Sequence, residues 1–164
     1  MEHLWTPWRM TYLQNNQPKP DGCIFCAVVA TPDEDDRKLV LHRGQHCFII
    51  LNLYPYNNGH LMVVPFDHSE SIEQLPAEAL IEMMTLSQKC LNLLRRAYSP
   101  QAFNIGINIG AAAGAGVPGH VHLHIVPRWA GDTNFMSALA NTRVIPEELS
   151  QTYRRLHDLW QTTM

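Results

Sequence analysis

A chain of 164 residues fits one domain, and at this size a hydrophobic core can form without disulfides to staple it. The net charge of −3 and the charged fraction of 16% give no electrostatic case for gripping long nucleic acid, although local donors can still bind a small anion. The first residues lack a basic start followed by an apolar run, and no window holds about 18 unbroken apolar residues, so the expectation is a cytoplasmic protein without leader or membrane span.

Residues 1–22 read as an N-terminal arm. Pro7, Pro18 and Pro20 argue against a long helix, while Trp5, Trp8, Met10 and Tyr12 carry enough apolar area to pack on the body or on a second subunit. Next come Cys23 and Cys26, the only close-set pair among the four cysteines; Cys47 and Cys90 lie in apolar stretches and read as buried core thiols. The run Asp33-Glu34-Asp35-Asp36 after Pro32 reads as a solvated loop, because nothing nearby supplies the geometry of a hard-ion site.

From Lys38 to Val64 the apolar pattern has period two. Leu39-Val40-Leu41, a turn at Arg43-Gly44-Gln45 and Cys47-Phe48-Ile49-Ile50-Leu51 predict a hairpin; Tyr54 to Gly59 is a second turn, and His60-Leu61-Met62-Val63-Val64 a third strand stopped by Pro65. Beyond Pro76, Leu75, Ala79, Ile81, Met83, Leu86, Cys90, Leu93 and Leu94 recur at near-helical spacing, predicting a long helix over 76–97 that Ser99-Pro100 ends. A fourth strand over Phe103 to Ile109, a Gly-rich segment from Gly110 to Gly119 and a fifth strand over Val121 to Val126, ended by Pro127, follow. After Pro146, Leu149, Tyr153, Leu156 and Trp160 form one stripe of a C-terminal helix over 145–164. The sum is an α+β domain spanning 1–164, with a five-stranded antiparallel sheet, a long helix and a C-terminal helix.

The chemistry concentrates in His120-Val121-His122-Leu123-His124. In an extended segment alternate side chains share a face, so the three imidazoles project together at about 7 Å steps while Val121, Leu123 and Ile125 enter the core. Two blander readings compete, a polar sheet face of satisfied histidines and a tri-histidine metal site. A neutral imidazole is also a competent nucleophile toward phosphorus when its second nitrogen is held by an acceptor, and neighbouring imidazoles help keep it neutral. Gly110, Gly114, Gly116 and Gly119, joined to that strand, let backbone N–H groups approach phosphate oxygens. Cys23-Ile24-Phe25-Cys26 has the spacing of a zinc knuckle, which needs two further ligands; a redox dithiol or two core thiols are the alternatives.

His120-Val121-His122-Leu123-His124-Ile125-Val126 resembles the signature of the histidine triad superfamily, and Ile50 to Pro55, Asn58-Gly59-His60-Leu61, Val64-Pro65 and Phe103 to Asn108 fall in that family's order. Leu4 to Arg9 and Pro127 to Phe135 resemble its diadenosine tetraphosphate phosphorylase branch. The resemblance implies that His122 attacks the α-phosphorus of a dinucleoside polyphosphate, giving a nucleotidyl-histidine that inorganic phosphate, in preference to water, then resolves. It also implies that Asn52 bonds the ribose hydroxyls, with a strand-end turn as its alternative role, that His60 lines the same pocket, and that Asn108 and His124 contact phosphate oxygens beside the backbone of Gly114 and Gly116. In relatives that keep the cysteine pair, the remaining ligands correspond to His68 and His120, which implies a structural zinc and no organic cofactor. A homodimer is implied too. One departure stands out: many relatives carry Gly-Gln-Ser or Gly-Gln-Thr where this chain has Gly114-Ala115-Gly116, so no side-chain hydroxyl or amide serves the leaving oxygen there. Hydrolysis of adenylylated small molecules or phosphoramidates, and a non-catalytic nucleotide-binding module, are the competing functions.

Overall fold

In the computed structural model, residues 22–132 and 147–162 are described. The chain enters through a one-and-a-half-turn helix α1 (Ile24–Val29) and a single turn α2 (Asp35–Lys38), then forms β1 (Val40–Arg43), β2 (Cys47–Leu51) and β3 (Leu61–Pro65). The long helix α3 (Ala77–Tyr98), β4 (Ala102–Ile107), β5 (Leu123–Arg128) and the closing helix α4 (Leu149–Gln161) complete the order. All five strands pair antiparallel in the spatial order β1-β2-β3-β5-β4.

The period-two pattern sorts each strand onto two cores. Cys47, Ile49 and Leu51 of β2, Leu61 and Val63 of β3, and Leu123 and Ile125 of β5 face α3 and α4, meeting Met83, Leu86, Cys90, Leu94, Leu156 and Trp160. The alternate residues Phe48, Ile50, Met62 and Val64 face the other way, under Phe25 and Val28 of α1. Each such fully buried apolar side chain contributes about 1.5–3 kcal/mol of transfer free energy. The helix α3 stops where the sequence says it should: Ser99 turns left-handed at φ 48°, and Pro100 cannot continue the helix. Among the described residues no helix is long and apolar enough to cross a membrane.

Two sequence expectations are corrected. The last strand is not ended by Pro127 and does not begin at Val121; it runs from Leu123 to Arg128. Pro127 opposes Phe103 of β4, and its carbonyl accepts from the Asn57 amide at 3.0 Å on the flank where β3 has not yet begun, so the missing N–H removes no ladder bond. The acidic run is not a loop. It forms a 3-10 turn (Pro32–Glu34) and α2, Asp35 takes a two-pronged bond from Arg43, and Asp36 accepts from the Tyr153 hydroxyl at 2.8 Å, which ties α4 to this corner. The arm over residues 1–21 and the part of the Pro127 to Phe135 stretch beyond Asp132 lie outside the described residues.

Candidate active site and adjoining metal-ligand cluster

Val121 is fixed at the mouth of β5 by donating its N–H to the Ser69 carbonyl at 2.6 Å, which sets the histidines on either side of it onto the α1 face of the sheet. All three are buried. Their hydrogen bonds assign the protons. His122 Nδ1 lies 2.8 Å from the carbonyl oxygen of His120. A carbonyl can only accept, so the proton sits on Nδ1 and the Nε2 of a neutral His122 carries a lone pair.

His124 has the opposite tautomer, for a reason one shell away. The backbone N–H of Tyr56 donates to His60 Nδ1 at 3.0 Å, with the Asn52 amide nitrogen 3.4 Å from the same atom. His60 therefore holds its proton on Nε2, which lies 3.0 Å from His124 Nδ1 and donates to it. A neutral His124 then keeps its proton on Nε2 and is a donor there. The two rings are 4.7 Å apart between centroids, so a lone pair and a donor sit side by side. Burial depresses the basicity of His122, partly opposed by its bond to the His120 carbonyl, and burial together with neighbouring His122 pushes His124 down to about 4. Near neutral pH both are uncharged.

These two histidines open into a cavity of about 340 Å³. Its walls are apolar where Ile24, Phe25 and Val28 of α1 face Ile50 and Met62, and polar at Asn52, His122, His124 and the backbone of Gly116. Asn52 serves the turn as well as the cavity, since its Oδ1 accepts the Tyr54 N–H at 2.9 Å. His60 corrects an expectation: at 1% exposure it stands behind His124 rather than lining the cavity, because the chain returning into β3 carries it beneath Tyr56. Gly114 and Asn108 are not among the cavity-lining residues. Gly114 instead closes the turn Ala111–Ala113 at φ 85°, a left-handed position that suits glycine. Asn108 comes one residue past the Ile107–Leu123 pair, where the same register would set it opposite His122.

The sequence reading passed over Ile24, Phe25 and Val28. The signal was there, an apolar run at i, i+1 and i+4 beginning between the two cysteines, and it is the wall of the cavity.

His120 belongs to a different arrangement. Its Nε2–H donates to the Pro65 carbonyl at 2.9 Å, leaving a lone pair on Nδ1 that faces Cys23 Sγ at 3.3 Å and Cys26 Sγ at 3.7 Å, while His68 Nδ1 is 3.2 Å from Cys26 Sγ. One ligand atom from each of Cys23, Cys26, His68 and His120 lies within 4.8 Å of all the others. Two thiolates and two imidazoles around a tetrahedral ion at ordinary bond lengths stand roughly 3.3–3.8 Å apart, so this set fits a metal such as zinc. Because His120 turns to the cysteines and His122 and His124 to the cavity, the three histidines do not form one tri-histidine cage; among the described residues this is the one cluster of the kind.

A profile of the HIT domain matches residues 33–131. Over 165 aligned residues the chain is 38% identical to a protein of Mycobacterium tuberculosis named AP-4-A phosphorylase, covering 98% of this chain and 85% of that one. It is 30% identical over 119 residues to adenylylsulfatase HINT3 of Arabidopsis thaliana, covering 69% of this chain and 58% of that one. Among solved structures, a Zn-bound histidine triad family protein from Mycobacterium smegmatis superposes with a TM-score of 0.69 at 27% identity, covering 86% of this chain and 94% of that one.

Proposed function

This chain belongs to the histidine triad (HIT) family, and on that premise we propose that it is a nucleotidyl-transferring enzyme that cleaves dinucleoside polyphosphates of the diadenosine tetraphosphate type. The observation that carries the reading is the bond from His122 Nδ1–H to the His120 carbonyl at 2.8 Å, which leaves Nε2 free to attack. The base lies in the apolar slot between α1 and Ile50 and Met62, the ribose at Asn52, and the α-phosphate at His122 and His124. His122 Nε2 forms a bond to the α-phosphorus as the bond to the bridging oxygen breaks, and the remaining phosphates leave with that oxygen. The positive charge arising on the imidazole is met by the His120 carbonyl, and His124 Nε2–H donates to the phosphate or leaving oxygen as negative charge grows there. With no side-chain hydroxyl or amide at Gly114-Ala115-Gly116, that donor and backbone N–H groups carry the task alone.

An oxygen of inorganic phosphate then attacks the phosphorus, the phosphorus–nitrogen bond breaks and His122 is restored. The 38% identity to a named AP-4-A phosphorylase supports phosphate as acceptor over water. We read the cluster of Cys23, Cys26, His68 and His120 as a structural zinc centre, which supplies cross-linking between segments and no step of the reaction. A homodimer is supported by the edge strand β4, with Ile105 45% exposed, and by the outer face of α3, with Ile81 67% and Met84 56% exposed, and we place it in the cytoplasm.

Incubation with diadenosine tetraphosphate, with and without inorganic phosphate, tests the reading. ADP plus ATP formed only with phosphate is the expected result; AMP plus ATP without phosphate replaces phosphorolysis by hydrolysis. A second substrate class is favoured by one observation, the 30% identity to an adenylylsulfatase, and adenylyl sulfate or an adenosine phosphoramidate turned over faster than the dinucleotide would move the assignment there. Tight nucleotide binding without turnover of any of these would make the protein a binding module.

A further inference from the structure

We propose that the Cys23, Cys26, His68 and His120 centre positions the wall of the nucleotide cavity, so that metal occupancy and nucleotide binding are energetically coupled. The inference rests on the zinc and nucleotide readings above and goes beyond both, since a structural metal need not influence a ligand site at all.

The wall is α1, and α1 cannot hold its own shape. It has six residues, its N-cap Cys23 makes no side-chain capping bond, and helices shorter than about 12 residues are marginal in water. Its C-terminal end is held by Lys38, whose ammonium donates to the Ala27 carbonyl at 3.0 Å. Its N-terminal end is held by the two thiols, within bonding reach of His68 and His120 from two other parts of the chain.

The residues between those thiols are the ones that meet the ligand. Ile24 and Phe25 sit between Cys23 and Cys26, and both line the cavity. The Phe25 ring is 5.3 Å from the His120 ring on the metal side and 5.0 Å from the His122 ring on the cavity side, so one buried aromatic separates the two centres and touches both. A bound ion joins α1, the segment after β3 that carries His68, and the stretch that carries His120. Without it α1 keeps the Lys38 and Arg43 bonds to the Ala27 and Val28 carbonyls at its C-terminal end, but its N-terminal end loses the cross-link that seats Phe25 against His122. Cys23 and Cys26 are thereby positioning residues for nucleotide binding. Linkage makes the effect reciprocal: whatever factor metal adds to nucleotide affinity, nucleotide must add to metal retention.

The test uses the full chain under a phosphine reductant. AMP affinity is measured by calorimetry on zinc-loaded and chelator-stripped protein, with circular dichroism to register any unfolding of the stripped form. The expected loss on stripping is on the order of 10-fold, within the usual range of such couplings. A second measurement does not need a folded apo form: zinc release from the loaded protein to a chromophoric chelator should slow severalfold under saturating AMP, and amide exchange over residues 24–29 should slow with zinc present. Equal AMP affinities together with an AMP-independent release rate overturn the inference while leaving zinc and nucleotide sites intact. Protein that takes up no zinc overturns the zinc reading and the inference with it, and protein that binds zinc but no AMP in either form overturns the nucleotide reading.

Discussion

His60 Nε2 lies 3.0 Å from His124 Nδ1, and because the Tyr56 N–H occupies the other nitrogen of His60, this contact runs in one direction: His60 donates and His124 accepts. A residue outside the cavity thus decides which nitrogen of a cavity residue carries the proton. Replacing it with a side chain that cannot reach His124, as in His60→Ala, frees the His124 ring to adopt the wrong tautomer. The expected outcome is a fall in kcat of about 10²-fold, comparable with losing one oriented donor, and little change in KM for nucleotide. Steady-state kinetics with diadenosine tetraphosphate check this; equal losses in kcat and affinity would assign His60 a packing role.

Acid should destabilise the fold through His124. Its pKa in the folded protein is lowered to about 4, first by burial and then by His122, so the unfolded chain takes up a proton at higher pH than the native one. Stability from this group is full above the unfolded value near 6.5 and is lost as pH falls toward about 4, by about 3 kcal/mol at most for a shift of that size. Urea denaturation between pH 7 and pH 4 should show a shallower loss in His124→Asn than in the parent chain.

The turn between β1 and β2 depends on one carboxylate. Glu82 of α3 accepts backbone N–H bonds from Gln45, His46 and Cys47 at 2.5–2.8 Å. Burial by itself would raise the Glu82 pKa, but these three donors outweigh it and lower the value. Glu82→Gln exchanges an oxygen acceptor for a donor facing an N–H, and should cost about 1–3 kcal/mol in denaturant titration without altering kcat.

Metal analysis of purified protein should find about one zinc per chain, bound by Cys23, Cys26, His68 and His120. Cys23→Ser should lose it, with a lower Tm, whereas Cys47→Ser, whose thiol is buried against the Ala79 carbonyl at 3.5 Å, should retain it. Zinc retained in Cys23→Ser would remove this residue from the ligand set.

Much of this was legible in the sequence because alternation is a local signal. Cys47 to Leu51 and Leu61 to Val64 announce two-faced strands, and the stripe from Ala79 to Leu94 announces α3, without reference to the rest of the chain. The end of β5 was not legible, because whether Pro127 breaks a strand depends on which flank still has a neighbour, and that is set by where β3 starts. Helix α1 shows its apolar i, i+1, i+4 set only once, too short a stretch to repeat, and that set overlaps the cysteine motif. The alternation of His120, His122 and His124 pointed to the site, but their division of labour is tertiary. His120 faces the thiols, and His122 and His124 take opposite tautomers, through the Pro65 carbonyl, the His120 carbonyl and His60, none of which spacing reveals.

The most direct test is to look for the bond itself. Protein mixed with diadenosine tetraphosphate in the absence of phosphate is quenched in alkali, where a phosphorus–nitrogen bond to imidazole survives, and its peptides are mapped by mass spectrometry. The account predicts an adenylyl group on His122 that disappears when phosphate is added before the quench, and no adduct or turnover in a folded His122→Ala. An adenylyl group on another residue, or full turnover in His122→Ala, would contradict it.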